Sequence, residues 1–345
     1  HPFTIFEKAD RVGGTWRENT YPGIACDVPS HIYSYSFELN PDWSEFTSPG
    51  AEVQEYFEGV SKRYGIDEHI RFNEAVIRCT WMDGEWEIET EKGHIERVRW
   101  VIAATGILHH PKYPDIDGLD TFEGPMFHTA RWDHDIDITG KRIGLIGTGS
   151  SGVQITAAVA PEVENLTVFQ RTAQWIVPND RVVYTEEEKE AFRTDADLLQ
   201  NLHNEMSTAF KDGFATSDID GNSELLDGIQ ERCLEALDTV QDVELKEKLR
   251  PTYKAACKRL VVSHNFYDAV QRDNVDIVTE SIDHIEPTGV VTEGELHELD
   301  VLVLATGFHV DAFMRPMNIT GRNGVDLDEV WKEWPSAYLL SLIHI

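Results

Sequence analysis

The chain has 345 residues, with 30 basic against 62 acidic side chains and a formal net charge of −32. That length suits roughly two domains at about 150 residues each. The acidic balance excludes nucleic acid and anionic membranes as expected partners, because both require a basic surface, and leaves a protein that takes up a small molecule.

The first strand expected is residues 3–6, which end at Glu7 and run into the turn-rich stretch 8–16. The chain opens without a methionine, inside that strand, so we read it as a fragment whose true start lies upstream. Residues 50–65 carry Val53, Tyr56, Phe57 and Val60 at helical spacing and predict an amphipathic helix. Residues 86–100 alternate around Lys92-Gly93, the pattern of a β-hairpin. An apolar strand is expected next, at 101–106, ending in Ala-Thr-Gly. The same order returns near the end: a hairpin turning at Gly294, then an apolar run closing in Ala305-Thr306-Gly307. Two such passages, one on each side of a glycine loop, suggest paired nucleotide-binding units of related design.

Between them, residues 141–170 predict a βαβ unit with its helix stopped at Pro161. Its loop, Gly147-Thr148-Gly149-Ser150-Ser151-Gly152, is a GxGxxG between a predicted strand and a predicted helix, the setting in which that motif binds a dinucleotide. The first glycine permits the tight turn, the second lets the backbone approach a pyrophosphate, and the third lets helix and strand pack. The anion then meets the free N–H groups and dipole of the helix N-terminus. An NAD site wants a carboxylate at the end of the next strand. Here that position holds Arg171, 24 positions after Gly147. A guanidinium grips a 2′-phosphate that a carboxylate would repel, so the reading favours NADP; the alternative is an ordinary surface ion pair. Glu7 shows the opposite choice, placed as the ribose-binding acid of a first nucleotide unit. Two dinucleotide sites imply two cofactors, and a flavin working with a nicotinamide is the usual pairing.

Residues 185–250 turn charged and helical. Thr185 to Glu188 is a capping-box pattern, helical periodicity recurs at 223–240 and 242–249, and Pro251 closes the set. This is expected to be a helical insertion with a solvated charged face. Strands resume from residue 272. No apolar run approaches the ~20 residues that span a bilayer. Four separated cysteines without a CxxC pair fit a reduced, cytoplasmic compartment. No HExxH, GxSxG or metal-spaced Cys/His cluster occurs, so no metal is expected; the acidic knot 133–137 reads as a linker face.

The stretch 122–133, FEGPMFHTARWD, with Phe122, Gly124, His128, Trp132 and Asp133 at fixed spacing, resembles the fingerprint of type I Baeyer–Villiger monooxygenases. The motifs ADRVGGTW, YPGIACD, YSYSF, VFQRT, CKR and QRDNV are similar too, over essentially the whole chain. The resemblance implies an α/β fold of two Rossmann-like domains with a helical insertion: 1–134 binding FAD with its first βα unit missing, 135–184 and 255–297 binding NADP, 185–254 the insertion, and 298–345 a truncated return to the FAD domain. It implies that NADPH reduces the flavin, that O2 then gives a C4a-peroxyflavin, and that a ketone or aldehyde becomes an ester or lactone. Arg259 is the implied active-site cation, expected to be buried, and Asp27 its orienting partner. Lys258 is implied to join Arg171 at the 2′-phosphate, and Thr172 is a further cofactor-binding candidate. Gly14, Thr15, Trp16, Asp27, Tyr33 and Val76 match positions around the flavin. His128 and Trp132 are implied to serve the linker between domains rather than acid–base chemistry. An N- or S-oxygenating flavin monooxygenase and a non-catalytic NADP-binding remnant stay open as alternatives, and the sequence leaves the oligomeric state unknown.

Overall fold

Two continuous apolar runs decide where the main core lies. A strand buried on both faces reads as an unbroken apolar stretch, and Arg142–Ile146 after its first residue and Val301–Leu304 are such stretches, neighbours within a five-stranded sheet. The computed structural model describes residues 2–215 and 223–336, folded as two units. The first draws on the described residues within His1–Glu18, Gln54–Lys112 and Phe308–Ile345; the second comprises Asn19–Val53 and Tyr113–Gly307. Residues 19–53 and 113–134, expected in the FAD-binding part, thus pack within the second unit.

In the first unit, β1 (Ile5–Phe6) pairs in parallel with β2 (Ile70–Arg71). Strands β3 (Val76–Met82), β4 (Glu85–Thr90) and β5 (Ile95–Val98) form an antiparallel meander, and the strand Asn318–Thr320 adds in parallel to β3. The hairpin turns at Gly93, whose φ of 78° is a left-handed value that glycine adopts without penalty. Cys79, Ile88, Met314, Ile319 and Trp331 make this unit's core. Helix α1 (Thr15–Glu18) is a single turn; α2 (Gly50–Arg63), of which only Gln54 onward belongs to this unit, buries Val53, Tyr56 and Val60 as the spacing predicts. The strand expected at 101–106 does not form: Trp100 is 78% and Ile102 90% exposed. An apolar run becomes a strand only where a neighbour takes up its backbone N–H and C=O groups, and no described residue does so here.

The second unit carries β6 (Met126–His128), β7 (Arg142–Ile146), α3 (Ser150–Val159), β8 (Asn165–Phe169), β9 (Ile176–Val177), β10 (Val261–Val262), β11 (Val275–Val278) and β15 (Val301–Leu304). An all-parallel sheet runs in the order β11-β8-β7-β15-β6. The predicted βαβ is β7-α3-β8, and α3 ends just ahead of Pro161. Short strands β9 and β10 pair beside the sheet. The second hairpin forms as expected at Gly294, within the antiparallel set β12 (Ile282–Glu286), β13 (Gly289–Thr292) and β14 (Glu295–Glu298).

The charged stretch is helical: α4 (Glu186–Thr194), α5 (Ala196–Ala209) with a π-helical end, α6 (Ser223–Leu237) and α7 (Val243–Lys248). Thr185 and Glu188 complete the capping box in both directions. Leu237, Val240 and Leu249 pack into the same core as Leu145, Val168 and Val303, so one face of this segment is structural and the other is solvated. A last helix of the second unit, α8 (Phe266–Val270), lies against α3. Residues 337–345, the last part of the return to the FAD domain expected at 298–345, lie outside the described residues. No helix among the described residues is long and apolar enough to cross a membrane.

Candidate cofactor site and active site

The glycine loop leaves β7 at the sheet's central switch, where β8 lies to one side and β15 to the other. Ligands of open parallel sheets bind at such a point. Gly147 has φ 108°, and a Cβ there would lie 2.5 Å from the Ala305 carbonyl oxygen; Gly152 has no room either, because a Cβ would run into the Gly147 carbonyl. Gly149, by contrast, faces open space. Two glycines therefore serve packing and one leaves the backbone bare. Gly149 is also the N-cap of α3, no side chain caps that helix, and its first turn holds no acid. Its N-terminus therefore suits an anion.

Thr148 is buried and donates its hydroxyl to the Thr172 carbonyl at 3.3 Å, which ties the loop to the end of β8. There Arg171 is exposed and makes no ion pair or hydrogen bond among the described residues. Lys258 is likewise without an acidic partner among them; its ammonium lies 4.6 Å over the Tyr253 ring.

The segment 21–27 docks on the first turns of α3. Tyr21, 6% exposed, donates to Gln154 Oε1 at 2.9 Å and accepts from Ser151 Oγ at 3.0 Å. Gln154 Nε2 donates to the Ala25 carbonyl at 3.0 Å. Burial pushes the Tyr21 hydroxyl up to about 12 and the Cys26 thiol up to about 12, so neither ionises near neutrality. Beside them Arg259 Nη2 donates to Asp27 Oδ2 at 2.5 Å, the partnership the resemblance implies. The expected burial of Arg259 is not found: its side chain is 73% exposed and that of Asp27 20%. The arginine stands on an irregular stretch just before β10, where no packed element covers it, and it avoids a desolvation cost that burial would bring. Tyr33 lies on the same unit's 30–35 turns, its N–H bonded to the Pro29 and Ser30 carbonyls.

The fingerprint residues are structural. Phe122 is in the core, and Gly124 passes so close to the Asp300 carbonyl that a Cβ would lie 2.6 Å from it. His128 ends β6 and is fully buried; Nδ1 accepts from the Ala130 N–H at 3.1 Å, and Nε2 therefore carries the proton and donates to the Gly307 carbonyl at 2.9 Å. Burial lowers its pKa. Trp132 meets Phe127 edge-on at 5.0 Å between centroids, and Asp133 closes a turn by accepting from the Asp135 N–H.

The other expected flavin contacts belong to the first unit. Glu7 follows β1; its Oε1 accepts from the Ala9 N–H at 2.9 Å and lies 3.4 Å from the Arg17 guanidinium. Gly13 and Gly14 have φ of 118° and 53° and lead into Thr15 and Trp16 of α1, while Val76 opens β3. The site residues thus divide, with Glu7, Gly14, Thr15, Trp16 and Val76 in one unit and the remainder in the other.

Residues 2–317 match the family described as flavin-binding monooxygenase-like. The chain belongs to that family. This flavin-binding monooxygenase-like protein is 46% identical over 336 residues to an uncharacterized monooxygenase of Mycobacterium tuberculosis, covering 97% of the chain and 67% of that relative. It is 39% identical to a Baeyer-Villiger monooxygenase of Streptomyces coelicolor, covering 96% of the chain and 64% of the relative. The structure of cyclohexanone monooxygenase from Rhodococcus sp. Phi1 bound to NADP+ is similar at TM-score 0.85 and 35% identity, over 98% of this chain and 72% of that one. The chain therefore spans about two thirds of the length of the curated relatives it matches, and the resemblance to Baeyer–Villiger monooxygenases is borne out.

Within the monooxygenase, sequence reading overlooked the polar braces: Tyr21, Gln154, Gln174 and Tyr253 carry no motif signal of their own, although Tyr21 opens the YPGIACD stretch. A cavity of 680 Å³ lies elsewhere in the second unit, between α7, β11 and the β13–β14 hairpin. Asp242, Glu244, Asp276, Glu280, Glu293 and Glu295 line it, an environment that repels phosphates. No described group of residues could hold a metal ion.

Proposed function

We propose that the protein is an FAD-dependent, NADPH- and O2-consuming monooxygenase that converts ketones or aldehydes to esters or lactones, a Baeyer–Villiger oxidation. The observation that carries the reading is the Asp27–Arg259 pair, in the same unit as a glycine loop tied to the residue after Arg171, a cation that makes no ion pair among the described residues. Similar solved structures support the chemistry: one cyclohexanone monooxygenase is cyclohexanone-bound, another is ε-caprolactone-bound, and a related structure is a complex with FAD and NADP.

The residues present fit both coenzymes. Gly147 to Gly152 offer bare backbone and an uncapped helix N-terminus to a pyrophosphate, with Arg171 and Lys258 for a 2′-phosphate and Thr172 as a further cofactor contact. Glu7 stands at a strand end, where a carboxylate suits a ribose hydroxyl, and Gly14, Thr15, Trp16, Tyr33, Val76 and Asp27 are assigned to the flavin. The division into an FAD-binding part and an NADP-binding part interrupted by the helical segment belongs to the same proposal. When bound, NADPH would supply the two electrons and FAD would activate the O2 whose one atom is inserted, the other leaving as water.

Arg259 supplies charge. Its guanidinium stays protonated at any working pH, so it stabilises negative charge that develops on a carbonyl oxygen and donates no proton to an anionic oxidant. Asp27 fixes its direction through the 2.5 Å hydrogen bond. Such a charge acts strongly only where water is excluded, so the role requires bound ligands to cover the exposed guanidinium. The buried Tyr21 and His128 stay uncharged and hold backbone in place.

The test is product analysis of the FAD-loaded protein given NADPH, O2 and either cyclohexanone or a thioether. Lactone from the ketone supports the reading. Sulfoxide without lactone assigns the N- or S-oxygenating alternative, and NADPH oxidation that yields only hydrogen peroxide overturns both.

A further inference from the structure

The reading above gives Lys258 a role at the 2′-phosphate, yet a lysine on a surface loop has much rotamer freedom to lose before it can hold anything. Its surroundings remove that freedom. The ammonium lies 4.6 Å from the Tyr253 ring centroid, within the range where the face of an aromatic ring attracts a cation. In so acidic a chain the ring has a consequence that a carboxylate would not: it orients the ammonium without neutralising it, and Lys258 keeps its full charge for an anion.

The ring is itself fixed at three points. The Tyr253 carbonyl accepts from Trp175 Nε1 at 2.8 Å, and the ring meets Trp175 edge-on at 6.5 Å. Its hydroxyl donates to Gln174 Oε1 at 3.3 Å. Trp175 is buried with Cys233, Ala255 and Leu260, so the anchor is solid core. Gln174 Nε2 in turn donates to the Thr172 carbonyl at 3.1 Å, the same oxygen that receives Thr148 Oγ1 from the glycine loop. One continuous set of contacts therefore runs from the loop, through the residue after Arg171, to the ring beneath Lys258.

We propose that Tyr253 is a positioning residue that holds the Lys258 ammonium by its ring face and so sets the preference of this site for NADP over NAD. The inference rests on the assignment of the glycine loop as an NADP site and adds to it the residue through which the second cation is presented.

Isothermal titration of the protein with NADP+ and with NAD+ tests it, without recourse to turnover. Tyr253→Leu should lower the NADP+ over NAD+ affinity ratio about two- to fivefold, the size of an exposed cation–π contact, with NAD+ affinity unchanged. Tyr253→Phe, which keeps the ring and loses the hydroxyl, should retain the wild-type ratio. Equal weakening toward both nucleotides in Tyr253→Leu, or a ratio that falls as far in Tyr253→Phe, overturns the proposal. Lys258→Ala and Arg171→Ala separate the two levels. If either lowers the ratio while Tyr253→Leu does not, only the positioning role fails; if neither does, the 2′-phosphate assignment fails and takes the positioning role with it.

Discussion

Arg259 Nη2 lies 2.5 Å from Asp27 Oδ2, a contact that joins residues 232 positions apart. An ion pair with one partner 73% exposed contributes no more than about 1 kcal/mol to stability, so its purpose is orientation. Arg259→Ala should shift the melting temperature little and leave NADP+ affinity and NADPH-driven flavin reduction in place, while ester formation falls below detection. Asp27→Asn should retain part of the activity. Ordinary lactone yield from Arg259→Ala removes the arginine from the mechanism.

The glycine loop predicts a contrast between two alanines. Gly152→Ala drives a Cβ into the Gly147 carbonyl and should destabilise the fold by about 1–3 kcal/mol, the usual cost of overpacking. Gly149 has φ −71° and nothing near its missing Cβ, so Gly149→Ala should lose only about 1 kcal/mol or less as a poorer N-cap. Its effect should fall on NADP+, whose affinity should drop about tenfold, near 1.4 kcal/mol. Thermal melts read against titrations separate the two; a Gly149→Ala protein that binds NADP+ normally would count against the loop.

His31 predicts a pH dependence of stability. It is 2% exposed, Tyr184 and Phe192 meet it edge-on, and its Nε2 has no hydrogen-bond partner among the described residues. Burial, with His203 adding its charge, lowers its pKa to about 4. The unfolded chain therefore binds the proton more readily than the folded one, so this contribution is whole above pH about 6.5 and is lost as pH falls toward 4. The swing is roughly 3 kcal/mol. Urea titrations at several pH values should show a shallower slope for His31→Leu across that window, and parallel curves would refute the assignment.

His128 accepts at Nδ1 and donates at Nε2, which uses both nitrogens of the neutral ring. His128→Ala should cost about 1–3 kcal/mol by stranding the Gly307 carbonyl and the Ala130 N–H. The acid limb of the pH–rate profile should keep its midpoint in this variant. A midpoint that moves would make His128 a proton carrier.

Much was legible in the order of residues alone. The βαβ of residues 141–170 could be read because strand, glycine loop and helix are local and each glycine has one steric reason to be there. The capping box at Thr185 and the turns at Gly93 and Gly294 are local for the same reason. The strand at 101–106 was misread because an apolar run states that burial is wanted, and only a neighbouring strand can grant it. The exposure of Arg259 was equally invisible, since it depends on what covers the stretch before β10.

By itself the sequence determined the periodicities, the motif chemistry and the family, all written within short windows of chain. Only the tertiary structure decided that Tyr21 braces Gln154, that Arg259 stays exposed while it donates to Asp27, that the fingerprint histidine reaches the Gly307 carbonyl, and that Trp175 anchors Tyr253 under Lys258. The hydrogen bonds behind these placements join residues 78 to 232 positions apart, and which distant side chains meet is settled by the packing of whole elements, which no short window of sequence records.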